Sequence, residues 1–263
     1  MMDPELLQKL MIGVCVLEYA VLIAYCVRRL SFRSSMAPVF FTFALVSNLM
    51  SSLYWLAFAL LRPETRMPFA ANEFGEIGAF LLLASSLNAV FRGHFAAARK
   101  TVVCAAFFAA ASTALWIGWS GEWVEDMLIG FSFGYFLCVC VRSLKQSNAL
   151  FRVEWRVLGV LALLLLLLQG LTFVLPEPWR SVADYGAYAV MFSVLFYGLG
   201  KLFRTLRRGL DAAAQFALAV ACFAWSLSTM YMSAGNFYLA AVLIYYCCAP
   251  LMLITLRREE AAA

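Results

Sequence analysis

Charge is scarce in this chain. Of its 263 residues, 13% are Asp, Glu, Lys or Arg, against about a quarter in an average soluble domain. That shortage excludes a disordered chain, which needs high charge and low hydrophobicity, and an ordinary water-soluble enzyme. Histidine is nearly absent: His94 is the only one. Bis-histidine haem ligation is therefore ruled out, and a zinc site built on histidines is not expected. The eight cysteines, Cys15, Cys26, Cys104, Cys138, Cys140, Cys222, Cys247 and Cys248, all fall inside apolar runs. They give no extracellular disulfide framework and read as small buried hydrophobes. No lysine sits in the middle of an apolar run, which argues against a retinal Schiff base. A P-loop, GxSxG, HExxH and a glycine-rich dinucleotide loop are all missing. No catalytic residue, metal or cofactor is expected, and an intramembrane enzyme is the weaker reading because no constellation of acid, base and nucleophile is present.

What the chain has in abundance is apolar length. Hydrophobic residues make up 65% of it, in recurring runs of about 20 residues, each enough to cross a bilayer as a helix. Lipid cannot satisfy backbone polar groups, so every run should be helical. The expected fold is all-α, a polytopic transmembrane bundle forming one integral membrane domain over 1–263. Nine spans are read, at roughly 6–30, 37–61, 73–91, 101–119, 124–143, 155–175, 183–203, 212–232 and 237–256; seven would require two of them to be merged or lost. Pro63, Pro68, Gly121, Pro176, Pro178 and Gly235 mark the connections. The first run is read as a retained helix: Asp3 and Glu5 precede it, and its basic cluster follows it.

The charges sort by side. All Lys and Arg except Lys9, Arg62, Arg66 and Arg180 fall in alternate loops or after the last run. Positive loops stay cytoplasmic, so the N-terminus is expected outside and the C-terminus inside, in the inner or plasma membrane. The basic loops suit anionic lipid headgroups rather than nucleic acid. Apart from Glu18, all the acids except Glu154, Asp211, Glu259 and Glu260 fall on the outer side.

Parts of the chain look alike. Pro63/Pro176, Glu73/Asp184 and Arg28/Arg142 recur at a nearly constant spacing. This pattern suggests a four-helix unit used twice, 6–119 and 124–232, with a final helix 237–256 added. An even number of helices would keep the two copies parallel.

Polar residues within the runs mark the candidate site. Glu18 lies about 18 Å along its helix, near the midplane, where an ionisable group costs at least about 2.5 kcal/mol. On the second span Asn48, Ser51, Ser52 and Trp55 share one helix face, with Asn48 at the depth of Glu18. That stripe suits either a solute pathway or interhelical bonds, and a Glu18–Asn48 contact is expected. The outer helix ends are acidic: Glu73 and Glu76 on the third span, Asp126 on the fifth and Asp184 on the seventh. The helix dipole favours carboxylates there by about 0.3–1 kcal/mol each, which accounts for several of them but not for Glu18 or Glu76. Tyr185 and Tyr188 suit a cation–π wall or an interfacial aromatic belt.

Packing signals stand beside these. Gly130 and Gly134 form GxxxG, and Gly75 and Gly78 are placed to let helices approach closely. The leucines from Leu161 to Leu168 should face lipid. Pro250 removes one backbone bond inside the last span and is a candidate hinge.

Two functions fit. The first is a transporter or permease-like protein for a small cationic or amine solute entering from an acidic outer face. The second is a membrane sensor or partner-binding subunit with an extracytoplasmic ligand site, a protein partner or homo-oligomer, and no output domain of its own.

Overall fold

The computed structural model describes residues 4–30, 32, 35–62, 71–91, 103, 106, 110, 123–209 and 211–262. Among them are eight long helices and no strand: α1 Pro4–Arg29, α2 Ala37–Leu61, α3 Ala71–Val90, α4 Trp123–Gln146, α5 Arg152–Val174, α6 Trp179–Arg208, α7 Ala212–Met232 and α8 Gly235–Ala262. All eight are long and apolar enough to cross a membrane. This is the make-up of a multi-pass membrane protein. Apart from 103, 106 and 110, the expected span at 101–119 lies outside the described residues, as do His94 and the loop that carries Pro63 and Pro68.

Several helix ends follow from local chemistry. Asp211 caps α7, its Oδ1 accepting from the Ala213 and Ala214 amides at 3.1 and 3.4 Å, a device worth about 1 kcal/mol. Gly209 closes α6 at φ 61°, a left-handed conformation that glycine adopts without steric cost. The sixth and seventh apolar runs are separated where expected, with Leu175 ending α5 and Pro178 preceding α6. The last helix runs on through Pro250 and carries the charged residues Arg257 to Glu260 as further helical turns.

The chain forms two compact units, residues 1–143 with 256–263, and residues 144–255. The boundary falls inside α4. In the first unit α2 has α1 on one flank and α3 on the other. The α2–α3 seam is tight: a Cβ on Gly75 would come within 2.8 Å of Ser51 Cβ and 2.9 Å of the Ser47 carbonyl. Only glycine permits this approach, and Ser47 Oγ uses it to donate to the Gly75 carbonyl at 2.9 Å. Gly78 sits against the same serine, Ser47 Oγ lying 2.5 Å from where its Cβ would be. Phe80 of α3 meets Phe133 and Phe136 of α4 at centroid distances of 5.1 and 5.9 Å. Gly134 is buried and Gly130 half-buried on α4.

In the second unit α7 is the buried helix and α5 the exposed one. The face of α7 from Ala214 to Thr229 is enclosed. Its hydroxyls bond back to their own helix, Ser226 to the Phe223 carbonyl, Ser228 to Ala224 and Thr229 to Trp225, so they can be buried among apolar neighbours. Trp225 Nε1 donates to the Met191 carbonyl of α6 at 2.9 Å, and Phe223 packs on Tyr245 of α8 at 4.7 Å.

Candidate functional site

The interhelical contacts set the depth of each polar residue in the first unit. Cys15 Sγ lies 4.0 Å from Ser52 Oγ, and Cys26 is within hydrogen-bond reach of Thr42. These pairs fix an antiparallel register that puts Glu18 level with Leu49 and Met50, next to Asn48. Ser47–Gly75 and Ser86–Ala37, the latter at 3.0 Å, fix the register of α3 on α2. Glu76 is then level with Val46 and Ser47, and Glu73 with Leu49 and Met50. Glu18, Asn48, Glu73 and Glu76 therefore share one layer, about a helical turn thick, in the middle of α1 and α2. From sequence, Glu73 and Glu76 are acids at an outer helix end. The register adds that this end of α3 lies level with the middle of α2.

Helix periodicity orients the members of the layer. On α2, Ser47 and Ser51 face α3, Ser52 faces α1, and Asn48 lies between the two directions. Asn48 and Ser51 are buried, at 7% and 6% exposure. On α1, Glu18 stands at the shoulder between buried Cys15 and Leu22 and exposed Val14, Leu17 and Val21, and it is half-buried. Glu76 shares a helix face with Phe80 one turn away; the aromatic contacts of Phe80 put α4 on that side. Helical wheels seated on these contacts turn Glu18, Asn48 and Glu76 toward the same side of the α1–α2–α3 array.

The bonding within the layer is uneven. Ser51 packs into the glycine seam, and Ser52 pairs with Cys15. Glu73 and Glu76 each have an interaction partner. Among the described residues no hydrogen bond or ion pair reaches the Glu18 carboxylate or the Asn48 amide, and none joins the two. Also among the described residues, no three His, Cys, Asp or Glu side chains come close enough to hold a metal ion. The layer thus offers an uncommitted carboxylate and amide at mid-helix depth, chemistry that suits a cationic group with N–H donors better than a tightly coordinated metal.

The remaining candidates lie elsewhere. Asp126 is on α4, and its side chain is outside the described residues. Asp184, Tyr185 and Tyr188 are on α6 in the second unit. The two tyrosine rings meet edge-on at 6.3 Å, and Phe237 of α8 touches both, at 6.0 and 5.0 Å. Phe192 extends the group at 5.9 Å from Phe237. These rings pack on one another as an aromatic cluster, with Tyr185 61% exposed. Pro250 lies in α8, distant in sequence from both groups.

A second polar cluster was not singled out from sequence. Glu154, in the first turn of α5, accepts from the Phe151 amide at 2.6 Å and from Lys201 Nζ at 2.5 Å, and the Tyr197 hydroxyl donates to its other oxygen. Tyr197 and Lys201 are one turn apart on α6, a spacing visible in the sequence; their partner on α5 is not. Lys201 also stands over the Phe151 ring at 5.1 Å. The arrangement ties α5 to α6 and uses up the one acid at this end of α5.

Comparison with protein-family models, with curated proteins and with solved structures gives no match. The functional reading therefore rests on the chain itself.

Proposed function

We propose that this multi-pass membrane protein is a permease-like transporter of a small cationic or amine solute, with the α1–α3 polar layer on its pathway. In this reading the chain has nine spans, the fourth at 101–119. Its N-terminus is outside and its C-terminus cytoplasmic, in the inner or plasma membrane. The observation that carries the proposal is the convergence of Glu18, Asn48, Glu73 and Glu76 on one level of three adjacent helices. An ionisable residue at mid-span is costly and marks ion or solute pathways. Glu18 supplies the negative charge and Asn48 a donor and an acceptor, while the half-buried Glu76 extends the acidic wall. Glu73 adds a further carboxylate at the same level.

Uptake of labelled small amines and monovalent cations into proteoliposomes tests this. The wild-type chain should accumulate at least one of them. Glu18→Gln should lower that uptake at least about tenfold, the equivalent of one lost charge-assisted contact, with unchanged thermal stability. Absence of flux for every amine and cation tried, or equal flux in the Glu18→Gln variant, would overturn the proposal.

A further inference from the structure

The end of α5 away from Leu175 carries two arginines whose surroundings single them out. Arg152 and Arg156 are one turn apart and exposed. The only acid nearby on the helix, Glu154, is occupied by Lys201, Tyr197 and the Phe151 amide. Helix periodicity separates the groups further. Glu154 and Leu165 define the face of α5 that meets α6, and Arg152 and Arg156 lie on the opposite face, in line with Gly159, Leu163 and Leu167. That face is exposed: Leu163 is 69% and Leu167 60% exposed, and among the described residues no side chain or other helix comes within 4 Å of where a Gly159 Cβ would be. Two guanidinium groups thus stand above a glycine notch and then a strip of leucine, on the helix with the smallest buried share of the eight described.

We infer that this strip is a binding site for one anionic phospholipid. Arg152 and Arg156 hold the headgroup phosphate as paired, planar donors. An acyl chain lies along Leu163 and Leu167 and uses the notch at Gly159. Phe151, 73% exposed beside the arginines, sits at the headgroup level where aromatic rings are favoured. The source of the phosphate is lipid rather than solute because the charges and the apolar strip are continuous on one exposed helix face. The site is independent of the transport reading.

The test is lipid exchange followed by native mass spectrometry and thermal unfolding, using the full chain in detergent with added phosphatidylglycerol, phosphatidylcholine or inorganic phosphate. Phosphatidylglycerol should be retained and should raise the melting temperature; the other two should do neither. The double variant R152Q/R156Q should lose about thirty-fold in preference for phosphatidylglycerol over phosphatidylcholine, at about 1 kcal/mol per arginine. R207Q/R208Q, with the same change in charge on exposed residues of α6, should keep it. Gly159→Leu should weaken retention with both arginines in place. Equal loss in the two double variants would reduce the site to general basic charge and overturn the proposal. So would equal binding of both lipids to the wild type. Stabilisation by inorganic phosphate alone would assign the arginines to a soluble anion and overturn the lipid site.

Discussion

Helices α5 and α7 belong to the same unit and are nearly the same length, yet their surroundings are opposite. Of the most apolar stretch of each, 6% is buried in α5 and 72% in α7. The more apolar helix is the exposed one. Nine of the residues of α5 are leucine, whereas seven of the 21 in α7 are alanine, with Ser226, Ser228 and Thr229 near its end. In water this order would be reversed. In lipid, hydrocarbon tails are as apolar as leucine, so apolarity does not drive helices together; close van der Waals packing does, and small side chains permit it. Burial in this protein follows side-chain size and internally satisfied hydroxyls rather than hydropathy.

The largest expected effect is on the crowded side. Ala219 has no exposed surface, and Ala219→Leu should destabilise by about 1–3 kcal/mol through overpacking, read as a lower melting temperature in detergent. A neutral result would mean that α7 is loosely held and would remove the contrast. Next comes the Trp225 bond to the Met191 carbonyl: Trp225→Phe keeps the ring and loses the donor, at a cost of about 0.6 kcal/mol, the average for such bonds in membranes. The smallest effect should be on α5, where Leu166 is 66% exposed. Leu166→Ala should change stability by no more than about 0.5 kcal/mol. A loss near that of a core leucine would reveal a protein neighbour on that face, and cross-linking of single cysteines placed there would identify a second copy.

The comparison also shows what was legible in the sequence. The existence of the described spans was readable from apolar length. The leucines of α5, expected to face lipid, divide instead: Leu163, Leu164, Leu166 and Leu167 are exposed, whereas Leu165 is buried against α6 with Leu168 packed beside it. The glycine seam was readable as Gly75 and Gly78, because small residues at helical spacing have few other uses in lipid. The shared polar face of Asn48, Ser51 and Ser52 followed from periodicity alone. The common depth of Glu18 and Asn48 was legible, but the depth of α3 was not. Where α3 sits along α2 depends on which serine meets which glycine, and the length of the loop between the helices does not determine that. Hence the level shared by Glu73, Glu76 and Glu18 emerges only from contacts. The same holds for Phe237 against Tyr185 and Tyr188, and for Glu154 against Lys201, pairs far apart in the chain with no pattern linking them.

The serine–glycine seam between α2 and α3 also bears on how the protein is made. A newly synthesised α2 standing alone in lipid would present Ser47, Asn48 and Ser51 to hydrocarbon, and α3 would present Glu73 and Glu76 with an open glycine face. Each is a poor passenger by itself, while the pair hides the serines and closes the notch. The two helices should therefore leave the insertion machinery together as a hairpin, and the seam that fixes the depth of the polar layer would then be complete before most of the chain has been synthesised.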